Sequence, residues 1–239
     1  MKFKNIMQML PRLIRYNLKV IFAGKFVWFL LAALLFFLFF LVYDAYRGIE
    51  LSESVVYNDL FFPAILLIFY PSVFGIQNDE DNRILEILFG IPNYRYKVWL
   101  LRLVIIYIAI GLVLVVFGYM ANYLLYPVNP WELVFRLMFP LIFIGNMSFM
   151  MSTVTRSGNG TAVVMIILGI VIILIERTGI LEMTTSFWNI LLDPFSIPSN
   201  VHPVVWDNTL LKNMIFLAIG GIVWLLIGLL NLQKREKFV

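Results

Sequence analysis

One stretch of this chain, NDEDNRILEILFGIPNYRYKV at residues 78–98, concentrates charge between two long apolar runs. Its first nine residues include five acids and bases, which are Asp79, Glu80, Asp81, Arg83 and Glu86. The three adjacent acids could attract a cation, but neighbouring side chains at a helix start point in different directions. We therefore favour a solvated face that caps a helix over a metal site.

No other set of residues has the spacing of a catalytic or metal site. The chain has no cysteine, which excludes disulfides, thiolate metal sites and cysteine nucleophiles. Its one histidine, His202, stands beside Pro203 and belongs to no His/Glu cluster with metal-ligand spacing. The glycine-rich SGNGT at residues 157–161 is too short for a phosphate loop, G-x-x-x-x-G-K-[ST], and reads as a turn. We expect no catalytic residue, metal or cofactor on this chain.

Three charged residues lie inside or beside other apolar runs. Glu132 and Arg136 have the four-residue spacing and the orientation that favour an ion pair on a helix. Two interpretations stay open, namely a local ion pair or a pair that lines the outer mouth of a transport pathway. Arg102 lies one turn into a different run, and we expect its long side chain to reach the lipid headgroups.

Small and polar residues inside two apolar runs predict close contacts between helices. Asn146, Ser148 and Ser152 could hydrogen-bond from one helix to another. The small residues of the last run are Gly220, Gly221 and Gly228. Because glycine lets another helix approach closely, we expect these three at an interface between subunits.

The elements around the charged stretch follow from local signals. Asn78 or Asp79 is a good helix N-cap, and acids suit the positive end of a helix dipole. Apolar residues then recur at helical spacing, at Ile84, Ile87, Leu88 and Ile91. Gly90 can close the helix, and Pro92 prevents its continuation. The pattern predicts an amphipathic helix of about two to three turns, which is either a rigid lever or an ordinary interfacial loop helix.

Composition places the chain in a membrane. Hydrophobic residues make up 62% of its 239 residues and charged residues 13%, with a mean hydropathy of +0.93, which cannot cover a soluble surface. We predict an all-α membrane domain over residues 26–239. An amphipathic interfacial helix over residues 1–25 precedes it and either anchors the chain or docks a partner. The six predicted spans are Phe26–Tyr43, Leu60–Gln77, Val98–Tyr126, Trp131–Ser152, Thr161–Ile175 and Leu211–Leu230.

Two parts of this layout need further elements. The fifth predicted span is short for a bilayer, so it either takes in Asn159 and Gly160 or ends in a dipping segment. The loop before the sixth span, about residues 176–210, is rich in tryptophan, phenylalanine and proline. That composition predicts one or two short helices in the outer leaflet.

Lysine and arginine predict the orientation. With the N-terminus inside, four of the 18 basic residues fall outside, and these are Arg47, Arg136, Arg177 and Lys212. Both termini and the charged stretch are therefore predicted to be cytoplasmic. The net charge of +4 could suggest nucleic acid, but the basic residues lie at the ends of apolar runs. We expect contacts with membrane lipids and no nucleic-acid partner.

The charged stretch resembles the segment between the second and third spans of permeases of the type-2 exporter family of ABC transporters. That family shows acids, Gly-Thr, Leu-Glu, an apolar run, a proline and a basic residue. The matching residues here are Asp79, Asp81, Leu85, Glu86, Pro92 and Arg95. Arg83 and Ile84 stand where Gly-Thr is usual. LLDPFSI, residues 191–197, is similar to the Leu-x-Pro-Phe element in the long outer loop of the same family.

The resemblance implies a half-transporter that pairs with a second copy or a related permease chain. It also implies that a separate ABC ATPase subunit binds ATP and Mg²⁺ and docks on the helix between spans two and three. The residues that would couple to that ATPase are Asp79, Glu80, Asp81, Arg83, Leu85, Glu86, Pro92 and Arg95. The implied location is the bacterial cytoplasmic (inner) membrane, and the expected cargo is lipophilic or amphiphilic.

Two alternatives stay open beside an exporter permease. The same scaffold could serve as a structural or signalling subunit of an envelope or motility complex, which the sequence does not separate from transport. A membrane-embedded lipid enzyme would instead need His, Asp, Ser or Glu clustered at one membrane depth. The sequence offers no such cluster, so we expect the chain itself not to be an enzyme.

Overall fold

The computed structural model describes residues 26–81, 95–155, 157–178, 186–199 and 201–235. Helix accounts for 85% of this part of the chain, and no strand occurs in it. The all-helical class is therefore confirmed for the described residues. The predicted amphipathic helix at residues 1–25 and the centre of the charged stretch, residues 82–94, lie outside them.

Six helices are long and apolar enough to cross a membrane, as predicted. They are α1 (Phe26–Arg47), α2 (Glu53–Asp81), α3 (Leu101–Leu124), α4 (Pro130–Thr155), α5 (Gly158–Thr178) and α6 (Pro203–Arg235). A π-helical turn, Arg95–Leu100, leads into α3. Helices α2 and α6 begin two turns before the predicted spans, because polar residues there lower the hydropathy without ending a helix.

The fifth helix resolves an alternative that the sequence left open. It begins at Gly158 and so takes in Asn159 and Gly160. Its 21 residues give a length of about 31 Å. That length matches the ~30 Å hydrocarbon core of a bilayer, so α5 needs no dipping segment to complete a crossing.

The loop before α6 differs from the prediction. Its described part, residues 186–199, forms turns and no helix. The short outer-leaflet helices are therefore wrong for this segment; residues 179–185 lie outside the described ones. The physical reason is local, since the side chains of Asn189 and Asp193 accept hydrogen bonds from backbone N–H groups two residues on, at Leu191 and Phe195.

The acids of the charged stretch also differ from the prediction. Asn78 and Asp79 do not begin a new helix, because their backbone continues α2, which the structure describes as far as Asp81. Neither glycine nor proline stands between Gln77 and Asp81, so nothing local ends the helical hydrogen bonding. The predicted N-cap is wrong, and the backbone of the acids is helical and continuous with the second long helix.

Helix α4 lies at the centre of the bundle and contacts α2, α3, α5 and α6. Its contact with α6 is close at the glycines. A Cβ atom at Gly220 would lie 2.5 Å from the ring of Phe143, and one at Gly228 would lie 2.8 Å from the ring of Phe149. Gly221 faces the same helix. The predicted subunit interface at these glycines is thus corrected, because α4 of the same chain occupies that face.

Burial separates the central helices from the peripheral ones. In the most apolar stretches of α2 and α4, 61% of the residues are buried, compared with 17% in α1 and α5. Protein therefore surrounds α2 and α4 on most sides. Helices α1 and α5 turn most of their apolar side chains outward, which suits contact with lipid chains.

Candidate functional site

Polar contacts gather at the two ends of α2. The motif end is the end that leads into the charged stretch; it comprises residues 73–81, the start of α3 and the turn between α4 and α5. The loop end is the opposite one; it comprises residues 53–59 and the segment 186–199. The two ends bring together residues that are far apart in the sequence.

The described residues include only part of the predicted coupling motif. The backbone of residues 79–81 is the last turn of α2, and Arg95 begins the π-helical turn before α3. The other coupling residues lie outside the described ones, and these are Arg83, Leu85, Glu86 and Pro92. The structure therefore fixes where the motif joins the bundle, and the role of its residues stays a prediction.

Helix α2 is longer than a membrane crossing requires. Its 29 residues span about 43 Å, whereas the hydrocarbon core of a bilayer is ~30 Å thick. Its apolar stretch ends at Gln77, and the acids follow without a break in the helix. The start of the motif is therefore part of the same rod as the second span.

A side chain of α2 contacts the start of α5 at the motif end. The backbone N–H of Gly158 donates a hydrogen bond of 2.6 Å to Oε1 of Gln77. A Cβ atom at position 158 would overlap that oxygen and lie 2.5 Å from the ring of Phe74. One turn earlier, the hydroxyl of Ser152 donates to the carbonyl of Val73 at 3.0 Å. These contacts join α2 to both α4 and α5.

The predicted turn at residues 157–161 is wrong for residues 158–161, which form the first turn of α5. Ser157 Oγ accepts a hydrogen bond of 3.3 Å from the backbone N–H of Gly160, which caps the helix. The hydroxyls of Thr155 and Thr161 lie 2.5 Å apart across the turn. The turn is therefore tightly hydrogen-bonded.

An apolar cluster fills the space behind these contacts. Its buried members are Ile76, Trp99, Leu103, Phe149, Leu229 and Leu232. Arg102 is 6% exposed, and its guanidinium carbon lies 5.3 Å from the centre of the Trp99 ring. The predicted reach of Arg102 to the lipid headgroups is therefore wrong, because its side chain is held inside the bundle over an aromatic ring.

At the loop end, Asp193 fixes the segment 186–199 to α2. Its Oδ2 accepts hydrogen bonds from the hydroxyl of Ser54 and, at 3.0 Å, from the amide of Asn58. Its Oδ1 accepts one from the backbone N–H of Phe195 at 2.9 Å. One carboxylate thus holds the LLDPFSI element in a turn and attaches it to the first turns of α2.

The predicted ion pair is present beside this element. Arg136 donates to Oε1 of Glu132 from Nη2 at 2.9 Å and from Nε at 3.1 Å, on one face of α4. The same guanidinium lies over the ring of Phe195, 5.3 Å from its centre. A narrow cavity beneath the segment is lined by Tyr57, Arg136, Pro140, Leu192, Asn213 and Leu217. The alternative role of the pair, at the mouth of a pathway, stays a prediction.

Helix α6 holds the same segment from another side. The amide of Asn213 donates to the carbonyls of Phe187 and Asn189, each at 2.7 Å. Trp206 and Leu192 belong to one small buried apolar cluster. The segment 186–199 is therefore attached to both α2 and α6, and it closes one end of the bundle over the cavity.

Of the three residues predicted to link helices, two do so. Asn146 accepts a hydrogen bond of 2.7 Å from the hydroxyl of Tyr107 and donates one of 3.1 Å to the carbonyl of Gly221, which joins α3, α4 and α6. Ser152 links α4 to α2. Ser148 instead donates to Ile144 in its own helix, so its predicted role is wrong.

Several polar residues have contacts or burial in the structure that no pattern in the sequence indicated. Gln77 stood at the edge of an apolar run, where a glutamine indicates only a boundary. Asp44 and Asp59 are only 5% and 8% exposed, although acids near the ends of apolar runs are usually solvated. His202 caps α6, since its Nδ1 accepts a hydrogen bond from the backbone N–H of Val204 at 3.3 Å.

Within the described residues, no group of three His, Cys, Asp or Glu could hold a metal ion.

Comparisons of the chain with protein-family models, with curated proteins and with solved structures give no match.

Proposed function

We propose that this chain is a permease subunit of an ATP-driven ABC exporter in a bacterial cytoplasmic membrane, with both termini in the cytoplasm. It works with a separate ATPase subunit, which binds ATP and Mg²⁺, and with a second permease copy or a related chain. The observation that carries the proposal is the place of the acid, Leu-Glu, proline and base pattern. It lies between α2 and α3 in the sequence, and its first acids, at residues 79–81, continue the helical backbone of α2.

The continuity of α2 supports a mechanical role for this connection. Helix α2 contains Pro63 and Pro71, but no proline follows Pro71, so the segment from Ser72 to Asp81 keeps its backbone hydrogen bonds and passes a displacement along its length. A partner that pushes on the charged stretch would move the second span directly, without a flexible joint at Gln77. The direct contacts of α2 with α4 and α5 would then pass the movement to other spans.

The interior of the bundle supports an apolar or amphiphilic cargo. The buried charged residues of the described part are Asp44, Asp59 and Arg102, and each lies near the end of a span. The middle of the described spans holds neutral polar groups such as Asn146 and Tyr107 but no buried charge, which disfavours a dedicated pathway for small ions. We therefore propose that cargo enters from the inner leaflet or the cytoplasm.

The test is coupled ATP turnover and transport in vesicles that contain the chain with its ATPase. We expect Arg83→Glu and Glu86→Lys each to lower cargo-dependent turnover about tenfold while leaving the unfolding temperature unchanged. Asp207→Asn, on the exposed start of α6, is the matched control. Normal turnover and transport in the double variant would overturn the proposal.

Two further outcomes separate the alternatives. A complex that hydrolyses ATP but moves no cargo would favour a structural or signalling subunit, and lipid turnover by the purified chain alone would favour an enzyme. The orientation is tested on the native background, which has no cysteine. Asn82→Cys should react with a membrane-impermeant maleimide from the cytoplasmic side, and labelling from the outside of intact cells would exclude the proposal.

A further inference from the structure

We propose that Gln77 is a positioning residue that makes the start of α5 follow α2 when α2 is displaced. The inference rests on the proposed function, because the displacement would come from a partner acting on the charged stretch. It adds a residue outside the motif to the path that this displacement takes.

The contact between the two helices satisfies a specific need of α5. The first N–H groups of a helix have no partner inside the helix and carry its positive end. Ser157 supplies an acceptor to one of them, at Gly160, from the sequence of α5 itself. The N–H of Gly158 receives its acceptor, Oε1 of Gln77, from a different helix at 2.6 Å. The start of α5 is thus capped by α2.

The contact is also sterically tight. Position 158 has no room for a side chain, since a Cβ atom would overlap Oε1 of Gln77 and press on the ring of Phe74. The backbone of α5 therefore sits directly on two side chains of α2, which are one turn apart. A push from α2 reaches α5 through atoms already in contact.

Beyond its first turn, α5 packs little against the other described helices. Only 17% of its apolar stretch is buried, and the helices it packs against are α2 and α4. Helix α6, by contrast, is fixed to α4 by its glycines and by the hydrogen bond from Asn146 to the carbonyl of Gly221. The start of α5 is therefore held by Gln77 of α2 and by the contact of Thr161 with Thr155 of α4, whereas the remainder of α5 has few neighbours that resist a displacement.

Two substitutions of the same residue test the contact itself. Gln77→Leu keeps the approximate size and removes the acceptor, whereas Gln77→Glu keeps an acceptor oxygen and adds a charge that suits a helix N-terminus. We expect amide hydrogen exchange at residues 157–161 to become about fivefold faster in Gln77→Leu and to stay within twofold of the native rate in Gln77→Glu. Equal exchange in both variants overturns the inference.

The transmission is tested in vesicles with the ATPase. We expect Gln77→Leu to retain ATP hydrolysis but to lose at least about fivefold in cargo transport, and Gln77→Glu to retain both.

Each result decides between the two proposals. A native complex that moves no cargo with ATP contradicts the proposed function. A native complex that transports, together with unaffected transport in Gln77→Leu, contradicts the role of Gln77 alone. Should Gln77→Leu not fold, Gly158→Ala serves instead, because its added methyl displaces Gln77 without altering α2; unaffected transport there overturns the role.

Discussion

The two ends of α2 are both tied to distant segments, but by different chemistry. At the motif end the ties are uncharged, since Gln77 accepts from the backbone of Gly158 and Ser152 donates to the backbone of Val73. At the loop end the tie is a carboxylate, Asp193, which accepts hydrogen bonds from two side chains and one backbone group. The charged ion pair of α4 lies beside it.

This difference indicates different tasks. Hydrogen bonds to a charged group are stronger than neutral ones, at about 1.5–3 kcal/mol against about 1 kcal/mol, but exposed charges respond to salt. The hydrogen bonds of Asp193 at the loop end are therefore strong, but their strength depends on the salt in the surrounding water. The motif end gains its rigidity from shape, because Gly158 leaves no space between α2 and α5. Four substitutions test this comparison.

The largest effect is expected at the loop end. Asp193→Ala removes an acceptor of three hydrogen bonds and releases the segment 186–199 from α2, which should lower the free energy of unfolding by about 3 kcal/mol. The measurement is thermal unfolding of the purified chain, with proteolysis of the segment as a second readout. Ser196→Ala, on an exposed position of the same segment, is the control. Equal stability of the two variants would contradict the assigned tie.

The next effect is expected at the motif end. Gly158→Ala forces a methyl group against Phe74 and Gln77 and should cost about 2 kcal/mol of stability. Gly169→Ala lies in the same helix with no atom within 4 Å of the added methyl, and it should be neutral or stabilising by up to about 1 kcal/mol. The reverse order of the two unfolding temperatures would show that α5 does not sit against α2 as described.

A smaller effect is expected for the second tie of the motif end. Ser152→Ala removes the hydrogen bond from α4 to the carbonyl of Val73 and should cost about 1 kcal/mol. Ser148→Ala is the matched control, because its hydroxyl bonds only within its own helix. Denaturant or thermal unfolding of the pair measures the difference. A control as unstable as Ser152→Ala would indicate that the serine hydroxyls pack and do not link helices.

The smallest effect is expected for the exposed ion pair. Glu132→Gln should cost no more than about 0.5 kcal/mol at low salt, because exposed ion pairs contribute little. About 1 M salt should remove that difference by screening, while leaving the cost of Gly158→Ala unchanged. Unfolding temperatures at the two salt concentrations provide the measurement. A salt-dependent loss of stability in Gly158→Ala would contradict the proposed difference between the two ends of α2.

Hydropathy predicted the number of long helices and the middle of each one. It failed at the starts of α2 and α6, where Asn58 and Asp207 lie on helices despite their polarity. It also failed at Asp79, which the sequence assigned to a new helix and the structure assigns to the end of α2. The physical reason is common to all three, since a polar side chain lowers hydropathy but does not interrupt backbone hydrogen bonds.

The site was predictable only in part. Asn146 was recognisable because an amide inside an apolar run needs a partner, but its partner Tyr107 looked like any aromatic residue of a span. The glycines of α6 predicted a close contact without naming the helix that makes it. Gln77 gave no signal, because its importance comes from a glycine that follows 81 residues later.

The amino-acid sequence by itself determined that apolar runs of this length become helices, since backbone groups in lipid must be satisfied within the chain. It also determined where charge gathers along those helices. The tertiary structure alone decided which helices touch, and hence that α2 is held by Gln77 at one end and by Asp193 at the other. Such pairs arise from the packing of whole helices, and no local pattern of residues encodes them.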